Sequence, residues 1–269
     1  MLQLFSLNFI KPFVSVGRLT LPTYGIMMVL AFSVAGLIFY LLAPRADLPR
    51  PDAFNLLALI MVGGVVGAKV FYLLTLLPYW RAIAAAGWQA VLELIAGGGM
   101  VFYGGLLGGL LMLAGYLRKY KLPFLPTLDI AAAALPVGHA IGRLGCFSVG
   151  CCYGLPSQHG LLMPHSLIAP RDVPLVPTQL IESAFCLLLA AVLYLILRRK
   201  PRPGFVTGLY LVAYSVFRFV IEFWRGDVLR GFIGPFSLSQ WISITIVLAL
   251  AIYLTVTWRR RKDPGKTEL

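Results

Sequence analysis

Apolar runs of about 20 residues recur along the whole chain, and each is long enough to cross the hydrocarbon core of a bilayer as a helix. The runs are continuous rather than alternating, which excludes a β-barrel. Of the 269 residues, 59% are apolar and only 12% are charged, about half the charged fraction of a soluble domain. This composition excludes a water-soluble enzyme, a disordered chain and a disulfide-rich scaffold. The sequence therefore predicts an all-α polytopic membrane protein.

The apolar runs predict seven transmembrane helices in a single membrane domain over residues 1–269. They lie near 21–43, 54–77, 91–116, 127–149, 178–197, 205–224 and 238–258. The longest loop, 151–177, is too short to form a separate domain. A cleavable signal peptide is not expected, because the first apolar run is too long and lacks a clear small-residue cleavage site.

Basic residues predict the orientation of the spans. The segments after spans one, three, five and seven hold 14 Lys and Arg residues, against 6 on the opposite side. Because such residues are retained in the cytoplasm, the C-terminus is predicted inside and, with an odd number of spans, the N-terminus outside. The net charge of +13 is therefore attributed to cytoplasmic loops that face anionic lipid, and nucleic-acid binding is not expected.

The third predicted span is unusually rich in glycine, which weakens a helix. Its glycines are Gly97, Gly98, Gly99, Gly104, Gly105, Gly108 and Gly109. The segment predicts either a close packing seam or a broken helix that lines a cavity. In the second span, Gly63 and Gly67 have the four-residue spacing that permits close helix approach.

Ionisable residues inside the predicted spans mark a candidate site, since each costs roughly 2.5–3.5 kcal/mol on insertion scales unless it has a partner or a function. In span six, Tyr214, Arg218 and Glu222 follow one another at intervals of four, and Arg225 comes three residues later. On a helix they share one face, with Glu222 within reach of both arginines. Other polar residues predicted at this outer depth are Tyr24, Tyr72, Arg143, Gln179 and Glu182.

Two interpretations fit this polar belt: a buried ion-pair network that fixes helix register, or a binding site. Three arginines and two glutamates at one level favour a site. A guanidinium group binds phosphate oxygens bidentately, so the expected ligand is an anionic lipid approached from the outer leaflet. The residues alone leave a transferase, a transporter and a lipid-binding module open.

The segment 139–154 combines His139, Arg143, three cysteines and several glycines at the outer end of span four. It resembles the signature segment of the bacterial prolipoprotein diacylglyceryl transferases, which has a Gly-Arg-x-Gly-Asn-Phe core and a later Gly-Glu-x-x-Gly. Further segments resemble motifs of that family in order and spacing: 24–25, 67–72, 98–105, 177–182, 214–225 and 237–243.

The resemblance implies an enzyme of the bacterial inner membrane with its site facing the outer leaflet. Such an enzyme moves diacylglyceryl from phosphatidylglycerol to the lipobox cysteine of a preprolipoprotein, forming a thioether and releasing glycerol phosphate without a cofactor. Carried over by motif, Arg143 and Arg218 would be catalytic. Substrate-binding positions would be Tyr24, Tyr72, Gly142, Gly145, Gly154, Gln179, Glu182, Tyr214, Glu222 and Arg225. Alternatives are a paralogue with another acceptor or a cysteine-based mechanism, and a non-catalytic protein that binds or transports anionic lipid.

Three positions depart from the family pattern near the expected reacting centre. Tyr103 stands where the family has a histidine, and a tyrosine with its usual pKa is a poor base at neutral pH. Cys146 replaces the signature asparagine, and Cys151 replaces the glutamate. Tyr103, Cys146 and Cys151 accordingly complete the predicted catalytic set.

The three neighbouring cysteines, Cys146, Cys151 and Cys152, admit four interpretations. They are structural cysteines or a disulfide on an oxidising face, a thiol that acts on substrate, a metal site, or a redox sensor. Their spacing matches no recognised zinc pattern, so no metal site is predicted. Cys186 lies in mid-span and is expected to be inert packing.

Overall fold

The computed structural model describes residues 11–97, 99–227 and 231–262, which are mostly helical. Gly98, Arg230 and Lys266, on which parts of the sequence interpretation depend, lie outside the described residues. The helices are α1 (Thr23–Leu42), α2 (Arg50–Thr75), α3 (Trp80–Ala85), α4 (Trp88–Ala96), α5 (Phe102–Lys119), α6 (Phe124–Val149), α7 (Thr178–Arg198), α8 (Phe205–Ile221) and α9 (Leu238–Lys262).

Short strands accompany the helices. Strand β1 (Phe13–Val16) pairs antiparallel with β2 (Leu19–Pro22) in a hairpin that leads directly into α1. Strand β3 (Pro156–Leu161) lies in the loop between α6 and α7. Strands β4 (Phe232–Ile233) and β5 (Phe236–Ser237) form a second antiparallel hairpin before α9. The helices therefore dominate the fold, as the sequence predicts.

Six helical segments of the described chain are long and apolar enough to cross a membrane. They are Thr23–Ala46, Arg50–Thr75, Phe124–Val149, Thr178–Arg198, Phe205–Trp224 and Leu238–Thr257, and they correspond to every predicted span except the third. The prediction of an all-α polytopic membrane protein is confirmed. The third predicted span is not one helix, because α4 ends at Ala96 and α5 begins at Phe102.

The chain divides into two compact units, residues 40–127 and the combination of 1–39 with 128–269. The single membrane domain over residues 1–269 stays a prediction. In the unit of residues 40–127, α2 and α5 pack through glycines. A Cβ atom added at Gly108 would overlap the backbone oxygen of Gly63, and one added at Gly67 would lie 2.9 Å from Cα of Gly108. The predicted packing seam is therefore present beside the interruption of the helix.

Lys69 of α2 has a structural role at this interruption. Its Nζ donates hydrogen bonds to the backbone oxygens of Leu94 at 2.9 Å and Gly97 at 2.7 Å. These carbonyls lie at the C-terminal end of α4, where the helix itself provides no partners. The amine thus stabilises the break between α4 and α5.

In the other unit, α6 lies at the centre of the contacts that position the site. Its Gly138 packs closely on α1, since a Cβ there would lie 2.9 Å from the backbone oxygen of Ala31. Ser183 of α7 donates to the backbone oxygen of Ala140 at 3.0 Å. Asp129 near the start of α6 accepts hydrogen bonds from the backbone N–H groups of Gly204 and Thr207 at 2.7 and 2.8 Å, which caps α8. Helices α6, α7 and α8 are thereby linked.

Candidate functional site

The first cluster of the site is centred on Glu182 in α7, whose side chain is almost fully buried. Its Oε1 accepts hydrogen bonds from Nη2 of Arg143 and from the hydroxyl of Tyr214, both at 2.8 Å. Nε2 of His139 lies 3.3 Å from the same oxygen and 3.3 Å from Nε of Arg143. One carboxylate therefore connects α6, α7 and α8 and fixes the Arg143 guanidinium.

The second cluster lies at the end of α8 and is centred on Glu222. Its Oε2 is 2.9 Å from Nη2 of Arg218 and 3.5 Å from Nη1 of Arg225, which confirms the predicted reach of Glu222 to both arginines. Both carboxylate oxygens of Asp227 accept hydrogen bonds from Arg225. Oδ1 lies 3.0 Å from Nε, and Oδ2 lies 2.6 Å from Nη2. The two carboxylates thus balance the charges of the two arginines.

Arg218 has a guanidinium group that is buried and only partly paired within the described part of the chain. Nη2 binds Glu222 and also donates to Oγ of Ser239 in α9 at 3.1 Å. Nη1 is buried and has no hydrogen-bond partner among the described residues. An unpaired buried donor on a charged group is costly, so a ligand that accepts its hydrogen bond would be stabilised there.

Hydrogen bonds join the loop after α6 to the first turn of α7. Thr178 Oγ1 donates to the backbone oxygen of Cys152 and Gln179 Nε2 to that of Cys151, both at 2.7 Å. All four cysteines, which lie within the described ranges, are thiols rather than disulfides. The sulfur atoms of Cys146, Cys151 and Cys152 all lie within 4.8 Å of one another.

The surroundings of the loops that border the site raise the pKa of some groups and lower that of others. Hydrogen bonds from Cys146 and Cys151, with the nearby charges of Arg225 and Arg143, lower the pKa of the Cys152 thiol. Hydrogen bonding to Cys146 and Cys152, together with burial, raises the pKa of Cys151. Burial lowers the pKa of Arg225, but its hydrogen bonds to Asp227 and the neighbouring negative charges outweigh this effect and raise it overall. The pKa values of Cys151 and Cys152 are therefore shifted in opposite directions.

Gly154 allows the close backbone contact that positions Arg225. A Cβ at this glycine would overlap the backbone oxygen of Val176 and lie 2.9 Å from that of Trp224. In this arrangement the N–H of Leu155 donates a hydrogen bond to the backbone oxygen of Trp224 at 2.8 Å. The N–H of Gly226 donates one to the backbone oxygen of Tyr153 at 2.9 Å. Gly154 acts through packing.

The other predicted residues of the same unit lie where α1 meets α6. Tyr24 lies in the first turn of α1 and is 41% exposed. Its ring faces Gly145, where a Cβ would lie 3.4 Å from the ring and 3.0 Å from Cβ of Met27. Gly142 has a looser contact, with its nearest neighbour, Sδ of Met28, at 3.7 Å. Gly145 thus provides the closer helix approach.

Tyr72 and Tyr103 belong to the unit of residues 40–127. The ring of Tyr72 packs directly against Gly99, with Nζ of Lys69 at 5.2 Å from the ring centroid. Tyr103 lies in the first turn of α5 and is 40% exposed. Their predicted roles at the reacting centre stay predictions.

Sequence reasoning missed the partners that orient the arginines. It assigned no role to Asp227 or Ser239, and it placed His139 with the thiols rather than with Glu182. Asp227 had a detectable signal, since an aspartate two residues after a buried arginine can bind it locally. Ser239 had none, because its contact with Arg218 depends on how α8 packs against α9.

The fold and these clusters define a polytopic helical membrane protein in which buried arginine–carboxylate clusters join several helices. A family model described as prolipoprotein diacylglyceryl transferase matches residues 11–256. The chain belongs to the prolipoprotein diacylglyceryl transferase family, and the resemblance in its motifs is confirmed.

Individual relatives match over nearly their whole length. A protein of Clostridium perfringens named phosphatidylglycerol–prolipoprotein diacylglyceryl transferase 2 is 32% identical over 251 residues, covering 92% of this chain and 96% of the relative. Proteins named phosphatidylglycerol–prolipoprotein diacylglyceryl transferase from Clostridium tetani and Geobacter sulfurreducens are 30% and 34% identical, covering 88% and 93% of this chain and 94% and 95% of the relatives.

Proposed function

We propose that this chain transfers the diacylglyceryl group of phosphatidylglycerol to the lipobox cysteine thiol of a prolipoprotein. Family membership and the names of the relatives support the class of reaction. The observation that favours phosphate binding at a particular group is the buried Nη1 of Arg218, which lacks a partner among the described residues. A phosphate oxygen of the lipid would accept that hydrogen bond.

The reaction requires charge stabilisation more than it requires a protein nucleophile. The acceptor sulfur attacks the glyceryl carbon of the lipid, a C–S bond forms, and the C–O bond to phosphate breaks. Glycerol phosphate leaves with the electron pair of the C–O bond, and the thiol proton passes to the departing phosphate or to water. Because negative charge grows on the departing phosphate, a guanidinium that is already oriented by Glu222 and Ser239 would lower the barrier.

The remaining predicted residues would support this step. Glu182 and Tyr214 would hold Arg143 as a second cation, and Glu222 with Asp227 would hold Arg225. Roles of Tyr103, Cys146 and Cys151 in the chemistry, and of Tyr24, Tyr72 and Gln179 in lining the lipid site, remain part of the proposal. The distribution of basic residues supports a site that opens to the outer leaflet of the bacterial inner membrane.

A transfer assay tests the proposal with the full chain in detergent. Labelled phosphatidylglycerol and a lipobox-cysteine peptide are supplied, and peptide and glycerol phosphate are quantified by mass spectrometry. We expect a thioether-modified peptide, and a loss of about 10²–10³-fold in kcat/KM for Arg218→Gln. Arg198→Gln is the matched control, because Arg198 is exposed at the opposite end of α7, and it should retain full activity.

Other product patterns would redirect the assignment. Glycerol phosphate released without modified peptide would preserve the lipid chemistry and point to another acceptor. Lipid binding with neither product, in a preparation where a family member of proven activity works, would favour a non-catalytic lipid-binding protein. Unchanged transfer by Arg218→Gln would remove Arg218 from the mechanism.

A further inference from the structure

The three thiols beside the arginine site converge in space although their spacing in the sequence matches no metal motif. Cys146 lies in the last turn of α6, and Cys151 and Cys152 follow in the loop. Their sulfur atoms all lie within 4.8 Å of one another. Metal–sulfur bonds of about 2.3 Å place the sulfurs of a three-coordinate site about 4 Å apart. The thiols therefore need to move little to share one ion.

A tight turn at the end of α6 brings these sulfurs together. Gly150 adopts a left-handed conformation, with φ of 79°, and Cys152 does the same with φ of 59°. The N–H groups of Gly150 and Cys151 both donate to the backbone oxygen of Cys146, at 3.0 and 3.1 Å. A left-handed conformation is uncommon for a residue other than glycine, so the surrounding structure must hold Cys152 in place.

Helix α7 supplies that restraint. Thr178 and Gln179 donate to the backbone oxygens of Cys152 and Cys151, and these two side chains are 2% and 0% exposed. Hydrogen bonds within the turn and hydrogen bonds from α7 therefore order the loop before it binds a ligand. A site ordered in advance loses less conformational entropy when it binds.

The donor set selects the class of ion. Within the described ranges, no histidine nitrogen or carboxylate oxygen joins the three sulfurs. Thiolates favour soft cations such as Cu(I) over Mg²⁺ and Ca²⁺, and zinc would need a fourth ligand such as water to complete its usual tetrahedral site. The three cysteines are partly exposed, so an ion can reach them. Positive charge from Arg143 and Arg225 acts on Cys152 and would offset the surplus negative charge of three thiolates around a monovalent ion.

We propose that Cys146, Cys151 and Cys152 form a three-sulfur site for a soft, thiophilic cation, with Cu(I) as its occupant. The site shares Cys146 and Cys151 with the predicted catalytic set, but the transfer step described above needs no metal. It provides the fixed loop with a second function at the rim of the lipid site.

Cu(I) binding to the full chain tests this site directly. The protein is purified in detergent, reduced and titrated anaerobically with Cu(I) in competition with a chromophoric Cu(I) chelator. We expect one tightly bound ion per chain, lost in Cys146→Ser, Cys151→Ser and Cys152→Ser. Cys186→Ser is the matched control, because Cys186 is buried in α7 outside the cluster, and it should retain the ion.

A second readout applies if the serine variants do not fold. Cu(I) bound to the wild-type protein should protect the three clustered cysteines from maleimide, as mapped by mass spectrometry. Uptake no greater than that of the triple serine variant, or no protection of the wild type, would overturn the proposal. Preference for Zn²⁺ over Cu(I) would overturn the choice of ion. Neither assay contains lipid or peptide, so the result is independent of transferase activity.

Discussion

The two compact units hold their helices together by opposite means. In the unit of residues 40–127, α2 and α5 approach through Gly63, Gly67 and Gly108, so that backbone lies against backbone. In the other unit, α6, α7 and α8 are joined through the carboxylate of Glu182. Backbones in contact leave no room for a ligand between two helices, whereas arginines linked to carboxylates present donors to one. We therefore expect ligand binding and catalysis at the contacts between charged side chains, and we expect the glycine contacts between α2 and α5 to be rigid.

The largest effect on stability is expected from breaking the charged contacts. Glu222→Gln leaves Arg218 and Arg225 without a shared carboxylate in a buried environment. Removing one partner of a buried pair typically costs about 3–5 kcal/mol, so the free energy of unfolding should fall by that amount. Unfolding titrations in mixed detergent–SDS micelles measure it.

A matched substitution identifies burial as the cause. Glu93 is exposed in α4, and Glu93→Gln should change the free energy of unfolding by less than about 0.5 kcal/mol. Equal effects of the two substitutions would mean that the Glu222 cluster does not stabilise the fold.

An intermediate effect is expected from filling the glycine seam. Gly108→Ala places a Cβ against the backbone oxygen of Gly63 and forces α2 and α5 apart, which should cost about 1–3 kcal/mol. Gly115→Ala in the same helix is the control, because a Cβ there would meet nothing within 4 Å. The same titrations compare the two. A Gly108 variant as stable as the Gly115 variant would contradict the seam.

The smallest effect is expected at a helix end. Asp129→Ala removes the acceptor for the N–H groups of Gly204 and Thr207 at the start of α8, and loss of such a cap costs about 0.5–2 kcal/mol. Asp172→Ala, in the exposed part of the loop before α7, should cost nothing measurable. Hydrogen exchange at Thr207 would locate the change. Unaltered protection there would show that the cap does not hold this end of α8.

The sequence predicted the fold class and most of the spans because hydrophobic length is a local property. It also predicted that Glu222 reaches Arg218 and Arg225, since three- and four-residue spacing on a helix determines such neighbours. The third span was predicted as a packing seam or a broken helix, and the structure has both a seam and a break between α4 and α5. Its glycines signalled weakness, but the position of the break depends on α2, where Lys69 caps α4.

Partners far apart in the sequence were not predicted. Nothing in the spacing links Arg143 to Glu182 or Arg218 to Ser239, because these contacts depend on how each helix is rotated against its neighbour. For the same reason, the spacing of the cysteines in the sequence did not predict a metal site. The turn at Gly150 nevertheless brings their sulfur atoms together.

The sequence by itself determined that this chain lies in a membrane, which helix face is charged, and that its motifs resemble those of the diacylglyceryl transferases. Tertiary structure decided which carboxylate holds each arginine, that a buried nitrogen of Arg218 has no hydrogen-bond partner among the described residues, and that the sulfur atoms of three cysteines lie close together. The physical reason is the difference in sequence separation between the residues that interact. Hydrophobicity and helical periodicity act over a few residues, whereas a site is fixed by distances between side chains that only packing brings together.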